Sequence, residues 1–161
     1  MASNAETAYE AMKAHIGEVS ESGEWFQVTQ DQINQFADVT KDHQFIHVDP
    51  ERSAKMSPYK VTIAHGFLTL SMLTHLSTSV KSKSAGAGFG GAIMGVNYGF
   101  DKVRFPSPVK VDSKIRMVRK LKSVDLKPPN SIQVVHECTI EVEGESKHSC
   151  VADWITRTFY S

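Results

Sequence analysis

Residues 66–80, GFLTLSMLTHLSTSV, limit the possible folds of this chain more than any other segment. Apolar side chains cover most of the circumference of a helix over this stretch, and its only titratable residue is His75. A helix that is apolar nearly all round must be buried on most of its sides. We therefore predict a central helix with the remainder of the chain packed around it.

The second half of the chain has the periodicity of strands. Each segment alternates apolar and polar residues, is rich in β-branched side chains and is bounded by Pro, Gly or Asn turn signals: IMGVNYGFDKVRF, KIRMVRKLKSVDL, IQVVHECTIEVEG and KHSCVADWITRTFY. We predict an antiparallel meander, joined by an earlier strand at residues 24–29. The expected fold class is α+β, with an antiparallel sheet wrapped around the long central helix.

The chain of 161 residues is long enough for one domain with a sizeable core, so we treat residues 1–161 as a single domain. Residues 1–23 form an N-terminal helical extension in this prediction, with a short helix at residues 6–15 closed by Gly17. Further helix starts are indicated by Thr29 with Gln32, in a capping-box pattern, and by Asp49 with Pro50.

Charge and composition exclude several classes of partner. Eighteen basic and eighteen acidic residues give a formal net charge of zero, which argues against nucleic acid or a membrane surface as a partner. The N-terminus has no secretory signal, and no apolar segment approaches the length of a membrane span. We therefore expect a cytoplasmic protein, in which Cys138 and Cys150 are free, buried thiols.

Residues 40–50, TKDHQFIHVDP, place titratable groups around the apolar pair Phe45-Ile46. A loop that turns this pair inward would hold Asp42 and His47 at the rim of an apolar pocket. A carboxylate and an imidazole that share one water molecule can act as a general acid/base pair. A metal site built from Asp42, His43 and His47 is the alternative, but no further ligand set lies nearby.

Gly66 follows His65 at the start of the central helix. The first amides of a helix are unsatisfied donors at the positive end of its dipole, and glycine allows a substrate oxygen to approach the backbone closely. The Gly66 N–H is thus a candidate to polarise a substrate carbonyl. The alternative is that Gly66 relieves crowding where the loop meets the helix.

These motifs resemble the MaoC-like (R)-specific enoyl-CoA hydratases and dehydratases, a family of hotdog fold. The resemblance is carried by FADVTKDHQFIHVDPERSA (36–54) and TIAHGFLTLSML (62–73), which hold the Asp, the His five residues later and the His-Gly helix start. NYGFDKVRFPSPVKVDSKIR (97–116) resembles the NodN-like branch. The similarity extends from residue 24 to about residue 157.

By this resemblance, Asp42 and His47 are the catalytic pair that adds water to a trans-2-enoyl thioester, giving the (3R)-hydroxyacyl product, or that runs the reverse dehydration. The Gly66 N–H would hold the thioester oxygen, with Thr74 and Asn97 as supporting residues. The resemblance implies an acyl-CoA or acyl-carrier-protein thioester as substrate, a homodimer, and neither a metal nor a cofactor.

The chain departs from the family pattern at two places. Lys41 stands where the family has a glycine before its aspartate, and Gln44-Phe45 replaces the usual Asn-Pro. Two alternatives share the fold: a hotdog acyl-CoA thioesterase and a non-catalytic acyl-thioester-binding module. One type of hotdog thioesterase has a carboxylate on its central helix, and residues 66–80 contain none.

Overall fold

The structure is a computed structural model and describes residues 2–161. Short helices occupy much of the first half of the chain, and long strands occupy the second half. The helices are α1 (Asn4–Lys13), α2 (Gln30–Thr40), α3 (Phe45–Val48), α4 (Pro50–Met56), α5 (Gly66–Ser71) and α6 (Leu73–Leu76), followed by a 3-10 turn (Ser77–Ser79). The strands are β1 (Phe26–Gln27), β2 (Ala92–Arg104), β3 (Lys114–Lys127), β4 (Ser131–Val142) and β5 (Cys150–Tyr160).

The strands form one antiparallel sheet in the order β1-β3-β4-β5-β2. The α+β class and the wrapped sheet are confirmed, but the predicted meander is wrong for β2, which lies at the edge beside β5 rather than next to β3. The reason lies in residues 105–113, which connect β2 to β3. The Ala64 N–H donates to the Val109 carbonyl at 2.8 Å, and the Val111 N–H donates to Thr62 at 2.9 Å. This connection therefore pairs with the segment before the central helix and does not close a hairpin.

The central helix runs from Gly66 to Ser79 with an interruption at Met72. Its buried side packs into the main hydrophobic core, which includes Leu68, Leu73, Leu76, Ile115, Met117, Ile140 and Trp154. Its other side is open: Phe67 is 70% exposed, and Thr74 and His75 are also exposed. The prediction that the central helix is buried on most of its sides is therefore wrong for a single chain, in which one side is exposed.

Helix α1 covers the far end of the same sheet. It begins earlier than predicted, at Asn4, because Ser3 and Glu6 form a capping box. Ala5, Ala8 and Met12 are buried against a second apolar cluster on the sheet, formed by Leu121, Val124, Ile132, Val134 and Tyr160. The sheet therefore has two hydrophobic clusters, one under each helix.

Several smaller predictions are resolved by the structure. The capping box of Thr29 and the N-cap of Asp49 are both confirmed, whereas the strand predicted at residues 24–29 is reduced to β1. Cys138 and Cys150 are buried free thiols, as predicted. Within residues 2–161, no helix combines the length and the hydropathy that crossing a membrane requires.

Candidate active site

Asp42 lies immediately after the end of α2. The last residue of the helix is Thr40, and its C-cap Lys41 has a left-handed backbone with φ of 65°. Glycine is the residue that most readily adopts this conformation, so the lysine carries a backbone cost of about 1 kcal/mol. The turn directs the chain away from α2, and the carboxylate of Asp42 remains 52% exposed. One of its oxygens, Oδ1, accepts the Gln44 N–H at 3.3 Å.

His47 lies in α3 and is buried. Its Nδ1 is 2.7 Å from the carbonyl oxygen of Ile63. A carbonyl can only accept, so Nδ1 carries the hydrogen in the neutral ring and Nε2 keeps a free lone pair. The Ile63 N–H donates to the Ile46 carbonyl at 2.9 Å, which ties α3 to the same segment. The fold therefore presents His47 as a base at Nε2.

His65, the residue before the central helix, completes the group. Its Nε2 donates to the backbone carbonyl of Asp42 at 2.9 Å, and its ring stacks on His47 with centroids 3.8 Å apart and planes 23° apart. Phe36 contacts the other side of the ring at a centroid distance of 5.0 Å. His65 is only 3% exposed, and its Nδ1 is buried without a hydrogen-bond partner among residues 2–161. It thus supports both Asp42 and His47.

Asp42, His47 and His65 each offer one ligand atom, and these atoms lie within 4.8 Å of one another. Such a group has the geometry to hold a water molecule, and its donor set is also one that a divalent metal accepts. His43 is not part of it, because its Nε2 contacts the Asp38 carboxylate at 2.8 Å on the exposed side of α2. The predicted metal site of Asp42, His43 and His47 is therefore wrong in including His43.

The surroundings of His47 favour its neutral form. Burial lowers the pKa of His47 below its ordinary value, and the nearby His65 lowers it further. The Ile63 carbonyl and the Asp42 carboxylate raise the pKa and offset part of this effect. The net shift is downward, so His47 is available as a base at neutral pH.

Gly66 begins α5 beside a cavity of about 250 Å³. Within residues 2–161, its N–H has no protein acceptor. A side chain at this position would place Cβ 2.9 Å from the ring of Phe105. Both functions considered for Gly66 therefore have a structural basis: an available donor, and close packing against Phe105, whose ring would have to shift to admit a larger residue.

The other predicted residues lie apart from this group. Thr74 is exposed, and its hydroxyl makes no hydrogen bond within the described chain. Asn97 is exposed on the edge strand β2, opposite Thr156. Phe45, which was expected to wall an apolar pocket, instead packs under the guanidinium of Arg52 at 4.4 Å. It does not line the cavity beside Gly66.

Sequence reasoning missed a role for His65 and used this residue only to mark the start of the helix. One signal was available: a histidine in the apolar run TIAHGFL needs a hydrogen-bond partner once it is buried. The partner is the backbone carbonyl of Asp42. Every residue has such a carbonyl, so the residue types could not identify this partner.

Comparison of the sequence with known proteins gives matches to one family and to proteins of similar length. The profile described as "MaoC like domain" matches residues 11–143. The chain is 42% identical to "3-hydroxyacyl-thioester dehydratase Z" of Mycobacterium tuberculosis (strain ATCC 25618 / H37Rv), over 91% of this chain and 92% of that protein. It is 43% identical to "Nodulation protein N" of Rhizobium leguminosarum bv. viciae, covering 89% and 86%.

Comparison with solved structures supports the fold. The (R)-hydratase from A. caviae involved in PHA biosynthesis superposes with a TM-score of 0.64 at 16% identity, covering 88% of this chain and 94% of that one. At this level of identity the likeness concerns the fold alone. The five-stranded sheet curled around the central helix is that of the hotdog fold.

Proposed function

The chain belongs to the family of MaoC-like domains, and we propose that it catalyses the (R)-specific addition of water to a trans-2-enoyl thioester, together with the reverse dehydration. A dehydratase or hydratase is the enzyme class to which the curated thioester-dehydratase relative points. The observation that carries the proposal is the convergence of the Asp42 carboxylate and the two imidazoles within 4.8 Å.

In the proposed reaction, Asp42 and the free Nε2 of His47 hold one water molecule. The pair takes a proton from this water as its oxygen bonds to C3 of the enoyl group, and it returns a proton to C2. The hydroxyl group and the hydrogen add to the same face because both come from one side of the substrate. No oxidant, metal or cofactor is needed to balance the step, and the pair ends as it began.

The Gly66 N–H is proposed to donate a hydrogen bond to the thioester oxygen. Negative charge gathers on that oxygen when hydroxide adds to C3, so a donor placed there stabilises the transition state more than the substrate. The cavity of about 250 Å³ beside Gly66 and Phe105 provides room for the neighbouring thioester atoms. Coenzyme A and an acyl-carrier protein would both present this thioester. We also propose that the protein is cytoplasmic.

Two observations weigh against the alternatives. A thioesterase with a carboxylate on its central helix is disfavoured because residues 66–80 contain no Asp or Glu. A binding module without chemistry would not require a buried histidine with a fixed tautomer beside a carboxylate.

The proposal is tested by following the loss of the enoyl-thioester absorbance with crotonyl-CoA and with a longer trans-2-enoyl-CoA. We expect loss of absorbance and a (3R)-hydroxyacyl product, without release of free thiol. Thiol release from a saturated acyl-CoA would establish the thioesterase instead. Tight binding of enoyl-CoA with no turnover would establish the binding module.

We also propose that the chain forms a homodimer through the edge strand β2. This strand is 13 residues long and, within residues 2–161, pairs only with β5; an unprotected edge of this length is unusual in a soluble monomer. Ile93, Met94 and Tyr98 are more than half exposed along it, and the nearby open side of the central helix exposes Phe67.

Sedimentation analysis checks the dimer. The wild-type chain is expected to sediment at twice its mass of 17.8 kDa. Lysine at both Ile93 and Val96 is expected to shift it to the monomer, because charges on an edge strand oppose pairing. Val39→Lys is the matched control, since Val39 is 82% exposed and lies on α2 rather than on the edge strand. A monomeric wild type would contradict the proposal.

A further inference from the structure

A second cavity lies on the sheet between its two hydrophobic clusters, away from the acid/base group. Its volume is about 130 Å³. It is lined by Met12 of α1, by the 84–89 loop and by strand residues that include Arg119, His136 and Trp154. Asp42, His47, His65 and Gly66 do not contribute to its lining.

The strand residues of this cavity come together through the register of the sheet. Arg119 of β3 lies opposite Cys138 of β4, and His136 of β4 lies opposite Trp154 of β5. Residues paired directly across an antiparallel sheet point to the same face, as do residues two apart along a strand. The guanidinium, imidazole and indole therefore all face the side of the sheet that the helices cover.

Two donors of this cavity lack acceptors. The Nε of Arg119 and the Nε1 of Trp154 are both buried without a hydrogen-bond partner among residues 2–161. In the same part of the chain, no carboxylate lies within salt-bridge distance of Arg119. The charge of Glu18 acts on Arg119, but its carboxylate already accepts the backbone N–H groups of Lys83 and Ser84.

A charged donor without a counter-charge in this setting is costly. Arg119 is half-buried, and a buried polar atom without a partner is unfavourable, so such atoms are normally hydrogen-bonded. Burial lowers the pKa of Arg119, yet a guanidinium remains charged at any physiological pH. Burial and the charge of Arg119 together lower the pKa of His136 to about 4, so His136 is neutral and adds no second positive charge.

We propose that this cavity binds one small carboxylate on Arg119, with the indole N–H of Trp154 as a second donor. A planar carboxylate matches the fork of donors on a guanidinium, and the hydroxyl groups of Thr156 and Thr158 in the lining offer further donors. A cavity of about 130 Å³ limits the ligand to a few heavy atoms, such as formate, acetate or propionate.

The two tryptophans of the chain provide the test and its internal control. Trp154 lines the cavity, whereas Trp25 lies outside it, under the guanidinium of Arg116 at 4.3 Å. Sodium acetate is titrated into the full-length, 15N-labelled protein, and the two indole N–H signals are followed by NMR. We expect a saturable shift of the Trp154 signal and none of the Trp25 signal. Acetamide, which has the same shape without the charge, is expected to cause no saturable shift.

The variant Arg119→Met removes the charge with little change in volume and is expected to weaken acetate binding at least tenfold. Arg116→Met is the matched control and is expected to leave the Trp154 titration unchanged. If Arg119→Met fails to fold, the comparison of acetate with acetamide on the wild type decides alone. The proposal is overturned if formate, acetate and propionate all leave the Trp154 signal unmoved. It is also overturned if only chloride or phosphate shifts that signal, or if acetamide acts like acetate.

Discussion

Asp42→Asn and His47→Gln are each expected to lower kcat/KM for enoyl-thioester hydration by about 10²–10⁴-fold, the usual contribution of a general acid or base. Asparagine keeps the shape of Asp42 but cannot take a proton. Glutamine keeps a polar group near the Ile63 carbonyl and removes the basic Nε2. Initial rates with crotonyl-CoA measure the effect, and thermal unfolding verifies that each variant is folded.

The chain offers a matched control a few residues away. Asp38 and His43 form an exposed carboxylate–imidazole pair of the same chemical types, with a distance of 2.8 Å between Oδ1 and Nε2. Asp38→Asn and His43→Gln are expected to retain nearly full activity. Near-normal rates for Asp42→Asn and His47→Gln would refute the assigned pair. Loss of wild-type activity with EDTA would instead point to a metal held by Asp42, His47 and His65.

His65→Phe is expected to lower kcat by up to about 100-fold, although His65 is proposed as a positioning residue. Phenylalanine keeps the stacking on His47 but removes the hydrogen bond of 2.9 Å to the Asp42 carbonyl, so the carboxylate loses its placement. His65→Gln keeps a donor in this region and is expected to recover part of the lost rate. A rate loss shared equally by both variants would contradict the role of the hydrogen bond.

The same variant tests the electrostatics of the site. His65 lowers the pKa of His47, so its removal is expected to raise that pKa, although burial continues to lower it. The basic form of His47 is lost as pH falls through its pKa. The acidic limb of the kcat/KM profile should therefore move to higher pH in His65→Phe, and the ring signals of His47 should report the same shift by NMR. An unmoved limb would show that the two rings are not coupled.

The proximity of Asp42 and His47 in the candidate site was predictable because the two residues are close in sequence. Asp42 and His47 stand five residues apart, and the helix caps at Thr29 and Asp49 follow local rules that leave little freedom. The central helix and the strand segments were predicted from periodicity alone. Family resemblance added the roles, but the residue types were already unusual for their surroundings.

Long-range pairing was not readable from the chain. Nothing local distinguishes a β2 that pairs with β3 from a β2 that pairs with β5, because both partners show the same alternation. His65 donates to a backbone carbonyl 23 residues away, and Arg119 lies near His136 only through the strand register. Such contacts form only in the folded chain, and no local pattern in the sequence predicts them.

The two hydrophobic clusters follow from a mismatch of lengths. Strand β3 has 14 residues and so extends for about 45 Å, whereas a helix over residues 66–79 is about 20 Å long. One helix cannot cover a sheet twice its length, and α1 covers the remaining part. Two separate helices leave a boundary between them, and side chains at this boundary need not pack as tightly as those within a single core. The second cavity lies between the regions that the two helices cover, and its lining takes Trp154 from one cluster and Met12, Val134 and Tyr160 from the other.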